Sequence, residues 1–264
     1  MCIVGTTWNE VQEPMTTAWE SAGRTDVGRV RSKNEDALLI REEKGLFAVA
    51  DGMGGAPGGD VASRRALDAL DLALDRVPSV AGMEGALIQA QESVQAASAA
   101  EPALRGLGTT LTALHVDPSG AYVLGHVGDS RAYAGTRTTF RRLTRDHTWI
   151  QDRVDEGAID PDNASEHPMR HVLTRVVGDR DRVVPDLEEG VLEAGSHLLL
   201  CTDGLTACVG FEELESAFRE SESIQNLVNR LVGLALDRGA PDNVTVMAVR
   251  FTRAAERPSR GRRS

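Results

Sequence analysis

Residues 36–55 read DALLIREEKGLFAVADGMGG, and this stretch carries the main fold prediction. Two apolar runs, ALLIR and LFAVA, are joined by the polar turn EEKG, which is the pattern of a β-hairpin. The strands of a hairpin are antiparallel, so the residue that enters the first strand lies beside the residue that leaves the second. We therefore expect Asp36 and Asp51 to be neighbours.

Three further aspartates lie at the ends of apolar runs. Asp129 separates the runs 121–127 and 131–134, Asp203 follows 197–201, and Asp242 precedes 244–251. If the strands 197–201 and 244–251 pair antiparallel, Asp203 and Asp242 form a second pair at one sheet edge. Clustered carboxylates repel one another unless a cation neutralises them, and Mg²⁺ or Mn²⁺ prefers such oxygen ligands. Asp-Gly is also a common turn dipeptide, so the prediction depends on the whole set of aspartates.

The composition predicts one folded domain. The chain has 264 residues, of which 41% are hydrophobic and 26% are charged, so it can bury a substantial core. Its formal net charge of −11 argues against a nucleic-acid surface, which carries an excess of Lys and Arg. Three cysteines are too few for a disulfide framework. The chain shows neither a signal-like start nor a run of roughly 18 apolar residues, so we expect a cytoplasmic protein without a membrane anchor.

The remaining pattern predicts a layered α+β domain. Helical spacing occurs at residues 60–77, 83–98, 211–219 and 224–237, and strand-like runs occur at 109–116, 121–127, 131–134, 139–143, 197–201 and 244–251. Paired helices between groups of strands, without strict βαβ alternation, indicate an α+β fold and not a doubly wound sheet. Residues 145–180 are less regular and are expected to form a flap. For residues 1–22 and 252–264 we expect a flexible arm and a basic, disordered tail.

Six short stretches, in their order and spacing, resemble the metal-dependent Ser/Thr protein phosphatases of type 2C, and in particular their compact bacterial members. The stretches are GRVRSKNED (28–36), ADGMGG (50–55), GTT (108–110), VGDSR (127–131), CTDG (201–204) and PDNVT (241–245). The resemblance covers about residues 23–251. It implies an αββα sandwich, in which two central antiparallel sheets are flanked by helix pairs, with a flap insertion.

The resemblance also assigns ligands for two metal ions, Mn²⁺ or Mg²⁺. It implies that Asp51 bridges the two ions. Asp36 and the Gly52 carbonyl would help to hold one ion, and Asp203 with Asp242 would hold the other. Asp51 and Asp203 are therefore expected to be essential for catalysis.

Further residues of the site follow from the same resemblance. Asp129 matches an aspartate that helps to hold a third, weaker metal in bacterial relatives. Glu35 and Asn243 would support the ligands from outside the metal coordination, with Glu35 orienting metal-bound waters. Arg31 matches the arginine that binds the substrate phosphate, a task suited to a planar bidentate donor. Met53 stands where animal members carry a histidine proposed as general acid, so the general acid is unassigned.

The histidines allow other interpretations. His167 and His171 have the i, i+4 spacing of helical metal ligands, but Pro168 between them disfavours that helix turn. We interpret both as flap residues. His147, at the predicted entrance of the flap, has either a loop-packing role or a substrate role.

The predicted function is hydrolysis of phosphoserine and phosphothreonine on proteins by a metal-activated water. The resemblance implies phosphoprotein substrates of a Ser/Thr kinase, or a phosphorylated signalling regulator that the enzyme resets, and we expect a monomer that binds neither nucleic acid nor membrane. Two alternatives are a phosphatase-fold sensor or scaffold without catalysis and a two-metal nuclease. The retained aspartates argue against the first, and the negative net charge argues against the second.

Overall fold

The computed structural model describes residues 18–53, 58–75, 77–164 and 167–252, and these ranges contain eleven strands and seven α-helices. The strands are β1 (Trp19–Asp26), β2 (Asp36–Arg41), β3 (Leu46–Met53), β4 (Gly108–Thr109), β5 (Leu111–Val116), β6 (Ala121–Val127), β7 (Arg131–Gly135), β8 (Phe140–Arg142), β9 (Asp186–Val191), β10 (His197–Cys201) and β11 (Val244–Phe251). The helices are α1 (Gly59–Ala73), α2 (Val80–Ala100), α3 (Trp149–Asp155), α4 (Pro161–Ala164), α5 (Asp203–Thr206), α6 (Phe211–Glu220) and α7 (Ile224–Asp237).

The strands form two antiparallel sheets. One sheet has the order β1-β11-β10-β7-β8, and the other has the order β2-β3-β5-β6-β9, with the short β4 paired to β3. The predicted hairpin is β2–β3, and β10 pairs antiparallel with β11 as expected. Both pairings on which the aspartate argument depends are therefore confirmed.

Side chains alternate between the two faces of each strand, and this alternation separates the apolar layers of the fold. In β3, Phe47 and Val49 face the apolar layer between the sheets, whereas Leu46, Ala48 and Ala50 pack in the cluster that contains α1 and α2. Successive side chains of a strand point to opposite faces, so a strand buried on both faces is apolar throughout. This explains the unbroken run LFAVA.

The helices cover the outer faces of the two sheets. Apolar residues of α1 and α2 pack on the sheet that contains β3, and those of α6 and α7 pack on the sheet that contains β11. Ser79 and Ser223 cap α2 and α7, since their side chains accept the N–H groups of Gly82 and Asn226. The order helix, sheet, sheet, helix confirms the predicted αββα sandwich. No helix within the described ranges is long and apolar enough to cross a membrane.

Two boundaries differ from the sequence prediction. The arm was expected to extend to residue 22, but β1 begins at Trp19 and pairs with β11 along its whole length, from Trp19 opposite Phe251 to Asp26 opposite Val244. The pairing is long-range, so local periodicity does not reveal it. Residues 1–17 and most of the predicted tail, 253–264, lie outside the described residues. The first long helix was predicted to reach residue 77, but it ends at Ala73, and Leu74 is extended.

Candidate active site

The β2–β3 hairpin brings the first two aspartates together. Asp36 opens β2 and lies directly opposite Asp51, which is near the end of β3. The predicted neighbourhood of these two residues is therefore confirmed. The backbone of Asp51 is also held from the other side: its N–H donates to the Thr110 hydroxyl at 2.9 Å, and its carbonyl accepts the Thr110 N–H at 2.9 Å. The GTT motif thus fixes Asp51.

The second pair comes from the other sheet. Asp203 begins α5 immediately after β10, and Asp242 precedes β11. These two aspartates and Asp51 line one cavity of about 910 Å³, together with Asp129 and Glu35. The hydrogen-bonded pairing of β10 with β11 therefore delivers Asp203 and Asp242 to the cavity that Asp51 lines.

Asp36 connects the two sheets at this edge. Its Oδ2 accepts hydrogen bonds from the hydroxyls of Thr202, at 2.8 Å, and Thr245, at 2.7 Å, which belong to the sheet opposite its own. The Thr202 hydroxyl also accepts the Thr245 N–H at 3.0 Å. Sequence reasoning missed both threonines. They adjoin the aspartate motifs in CTDG and PDNVT, and that adjacency is the available signal.

The carboxylates of the cavity suppress one another's ionisation. Burial, with repulsion from Asp203 and Asp242, raises the pKa of Asp36 to about 7, although two hydroxyls partly offset this. Burial and the repulsion of four neighbouring aspartates, of which Asp36 is the strongest, raise the pKa of Asp51 well above its ordinary value. Burial and repulsion from Asp203 raise the pKa of Asp129 to about 7. Such a cluster of buried carboxylates favours the binding of cations, which neutralise it.

The donor atoms suit a hard divalent cation. Asp36 Oδ1 and Asp203 Oδ1 are buried, and neither has a hydrogen-bond partner within the part of the chain that the structure describes. Buried polar atoms are rarely left without a partner, so these two oxygens fit metal ligation. Within the same ranges, no three His, Cys, Asp or Glu side chains are close enough to form a complete ligand set. A bound cation would therefore need water molecules to complete its coordination.

Glycines make room for the close backbone contacts around the ligands. A Cβ atom on Gly52 would lie 2.0 Å from the Gly59 carbonyl oxygen, and one on Gly204 would lie 1.9 Å from the Asn243 carbonyl oxygen. Any side chain at these positions would displace the strand end that carries an aspartate. The Asp-Gly dipeptides are therefore required by packing, beyond any role in a turn.

Asn243 and Glu35 are joined by a hydrogen bond. The Asn243 side-chain oxygen accepts the Glu35 N–H at 2.8 Å, and its amide nitrogen donates to the carbonyls of Val27 and Lys33, both at 2.9 Å. Ser63 of α1 donates to the Glu35 carbonyl at 2.7 Å. Asn243 thus attaches the loop that precedes β2 to the start of β11.

Arg31 lies at the mouth of the cavity. Its Nη2 donates to Asp242 Oδ2 at 2.7 Å, and its side chain is 52% exposed. The hydrogen bond from Arg31 to Asp242 and the nearby charge of Asp51 raise the pKa of Arg31 above its ordinary value. The guanidinium is therefore beside the predicted metal ligands and accessible to an anion.

Asp129 lies in the tight turn between β6 and β7. The preceding Gly128 has a φ of 107°, a left-handed conformation that a Cβ would make strained and that brings Gly128 against Thr110. The Thr110 hydroxyl is 2.7 Å from the hydroxyl of Ser130. A short hydrogen-bonded path therefore joins the Asp129 turn to Asp51.

The flap forms one wall of the cavity. Arg170 and His171 line it, and His171 Nδ1 is 3.7 Å from Asp203 Oδ2. The interaction with the Asp203 carboxylate raises the pKa of His171. Sequence reasoning placed His171 in the flap but did not bring it to Asp203, because the path of a flap leaves no periodic signal.

Comparisons with known proteins point to one family. The model of the protein phosphatase 2C family matches residues 28–243. The serine/threonine phosphatase PstP of Mycobacterium tuberculosis is 37% identical over 236 residues, which are 88% of this chain and 45% of that protein. The phosphatase PhpP of Streptococcus pneumoniae is 30% identical over 85% of this chain and 94% of its own length. The crystal structure of the PstP catalytic domain with two manganese ions is 35% identical, with a TM-score of 0.80 over 89% of this chain and 98% of that one.

The chain belongs to the protein phosphatase 2C family. It spans about half the length of PstP, the curated relative with the higher identity of these two.

Proposed function

We propose that this chain is a metal-dependent phosphatase that hydrolyses phosphoserine and phosphothreonine on protein substrates. The observation that carries the proposal is that aspartates from both sheets line one cavity with Arg31 at its mouth. Membership of the protein phosphatase 2C family and likeness to a relative crystallised with two manganese ions support it.

Mn²⁺ or Mg²⁺ is the cofactor that suits these oxygen donors. Asp51 would bridge two tightly held ions, with Asp36 and the Gly52 carbonyl on one of them and Asp203 and Asp242 on the other. When bound, such ions neutralise phosphoryl oxygens and lower the pKa of a water molecule that attacks phosphorus. A third, weaker ion is proposed beside the aspartate of the β6–β7 turn, Asp129.

The side chains of the chain itself bind and orient the substrate. Arg31 can turn from Asp242 to the phosphate, where its planar guanidinium can donate two hydrogen bonds. Glu35 and Asn243 orient the ligand loops. Met53 lines the cavity and cannot donate a proton to the leaving serine or threonine oxygen, so it is not the general acid.

Protein substrates suit the exposed mouth of the cavity. Three arginines line the cavity. Arg31 is paired with Asp242, and Arg131 is paired with Asp146. Arg170 of the flap forms no ion pair with any described residue. Arg170 is exposed and adjoins the exposed apolar side chains of Met169 and Val172. An exposed cation beside apolar side chains can contact residues that flank a phosphorylated side chain.

We propose that the substrates are products of a Ser/Thr kinase, with a phosphorylated signalling regulator as one such target. We also propose that the chain acts in the cytoplasm as a monomer. The net charge of −11 disfavours a nucleic-acid substrate.

A metal-dependent assay tests the proposed activity. Hydrolysis of p-nitrophenyl phosphate and of a phosphothreonine peptide should disappear with a chelator and return with excess Mn²⁺ or Mg²⁺. Asp51→Asn and Asp203→Asn should each lower kcat by more than about 100-fold, because each removes a ligand charge. Asp68→Asn, at an exposed position of α1, is the matched control and should retain wild-type kcat. Full activity in chelator would refute the mechanism, and inactivity under all conditions would favour a sensor or scaffold.

A further inference from the structure

The flap is attached to the domain through a short paired base. We define the flap base as residues 147–149 together with 172–174. The Trp149 N–H donates to the Val172 carbonyl at 2.7 Å, and the Thr174 N–H donates to the His147 carbonyl at 2.8 Å. Two of the flap residues that line the cavity, Arg170 and His171, directly precede the second segment of this base. Their distance from the metal ligands therefore depends on how the base is held.

His147 holds the flap base to the turn that carries Asp129. Its Nδ1 accepts the Gly128 N–H at 3.1 Å, and its own N–H donates to the Gly128 carbonyl at 2.8 Å. Both polar backbone atoms of Gly128 are thus bonded to one residue. Gly128 directly precedes Asp129, so this contact sets the position of the aspartate relative to the flap.

The other ring nitrogen of His147 binds the chain that leaves the flap. Nε2 lies 3.1 Å from Asp186 Oδ2 at the start of β9 and 3.2 Å from Arg175 Nη1. Because Nδ1 accepts the Gly128 N–H, Nε2 carries the proton of the neutral ring, and Asp186 is the acceptor within its reach. Arg175 Nη1 donates to the other oxygen of Asp186 at 2.6 Å. Burial lowers the pKa of His147 and so favours the neutral ring that this arrangement needs.

The ring is also packed against a second histidine and has no access to substrate. The side chain of His147 is 0% exposed, and its ring centroid is 4.7 Å from that of His126. His126 is itself bonded at both nitrogens, to the Thr112 hydroxyl and the Arg145 carbonyl, each at 2.9 Å. Of the two roles that the sequence left open for His147, contact with substrate is therefore excluded.

We propose that His147 is a positioning residue that couples the flap to the Asp129 turn through its two ring nitrogens. Nδ1 fixes the turn, and Nε2, through Asp186, fixes the flap exit. The two elements then form one wall of the cavity and hold a phosphorylated segment together. The effect on catalysis rests on the proposed function, whereas the coupling itself can be measured without turnover.

Two substitutions separate the two ring contacts. In His147→Asn the amide oxygen can replace Nδ1 and keep the Gly128 bond, but the side chain is too short to reach Asp186. In His147→Gln the amide nitrogen can replace Nε2 and keep the Asp186 bond, while the acceptor for Gly128 is lost. Amide hydrogen exchange should then differ between the two variants. The Gly128 amide should exchange about tenfold faster in His147→Gln only, and the Thr174 amide about tenfold faster in His147→Asn only.

Kinetics report the consequence for a bound phosphopeptide. Both variants should raise KM for a phosphothreonine peptide several-fold, with a smaller change for p-nitrophenyl phosphate, which can contact less of the flap than a peptide can. His167→Asn is the matched control, since His167 lies in the flap, where its Nδ1 accepts the Met169 N–H at 3.1 Å and its ring stacks on Trp149, and it bonds neither Gly128 nor Asp186 among the described contacts. It should leave exchange at Gly128 unchanged.

The hydrogen-exchange results decide whether His147 couples the flap to the Asp129 turn. The same exchange pattern in both His147 variants, or wild-type protection at Gly128 in His147→Gln, would overturn the coupling. If neither variant folds, Asp186→Asn keeps the buried rings and should accelerate exchange at Thr174 alone; unchanged exchange there would overturn the proposal. Absence of all phosphatase activity would refute the proposed function and would leave the exchange result to judge the coupling.

Discussion

Replacing Asp36 with asparagine should stabilise the chelated protein at pH 8 and destabilise the protein in excess Mn²⁺. Asp36 is buried at the junction of the two sheets, and without a cation its charge faces Asp203 and Asp242. Asparagine keeps an oxygen for the hydroxyls of Thr202 and Thr245 and removes the charge. The substitution therefore isolates the electrostatic cost of this carboxylate from its hydrogen bonds.

The magnitude follows from the pKa of Asp36, which is raised from 3.8 to about 7. A folded-state pKa above the unfolded value means that the folded protein holds more protons between these two pH values, so stability falls as the pH rises through them. The difference is about 3 units, and at about 1.36 kcal/mol per unit the full cost of ionisation is about 4 kcal/mol. About 3 kcal/mol of that falls between pH 5 and pH 8, which corresponds to roughly 6–12 °C in Tm for a domain of this size.

Thermal unfolding with a chelator at pH 5 and pH 8 measures this difference. The Tm of Asp36→Asn minus that of the wild type should increase with pH, and excess Mn²⁺ should reverse its sign. Asp71→Asn is the control: burial alone would raise the pKa of Asp71, but hydrogen bonds from Lys44 and Arg41 hold it below its ordinary value. Asp71 therefore titrates below this window. A difference for Asp36→Asn that does not grow from pH 5 to pH 8 would refute the reasoning.

Two further predictions concern Arg31 at the cavity mouth and the close backbone contact at Gly204. Arg31→Ala should raise KM for p-nitrophenyl phosphate more than it lowers kcat, since the guanidinium binds the phosphate in ground and transition states alike. The control Arg24→Ala, which removes an ion pair with Asp26, should change neither KM nor kcat. An unchanged KM for Arg31→Ala would contradict phosphate binding. Gly204→Ala should lower the free energy of unfolding by about 1–3 kcal/mol in denaturant titrations, because its Cβ would meet the Asn243 carbonyl at 1.9 Å. Gly233→Ala, in α7 with open space around the new Cβ, should instead raise the free energy of unfolding by about 0.5–1 kcal/mol. Equal effects of the two substitutions would contradict the requirement for glycine at position 204.

The part of the site that the sequence predicts is the part that local pairing dictates. A hairpin fixes its own register, so Asp36 and Asp51 could be placed opposite each other from the turn alone. The pairing that brings Asp203 to Asp242 is long-range, and only the joint order of the motifs indicated it. The apolar alternation of β3, β10 and β11 then follows from burial on both faces.

The missed elements are those without a local signal. β1 pairs with β11 across more than 200 residues, and β9 carries a mixed sequence, DLEEGV, on the edge of its sheet. An edge strand exposes one side to solvent and needs no apolar run. The contacts of His147 likewise join segments that no periodicity relates, so the sequence could only leave two roles open for it.

The position of the site at the junction of two sheets explains why its carboxylates are both buried and close together. If all five aspartates came from one sheet edge, side chains could turn into solvent and avoid one another. Here Asp36 is held by the hydroxyls of Thr202 and Thr245 from the opposite sheet, so it cannot turn away without breaking the bonds that join the sheets. The same hydrogen bonds that order the sandwich therefore maintain the repulsion in the cavity. A divalent cation relieves this repulsion, and its binding should stabilise the fold and assemble the site in one step.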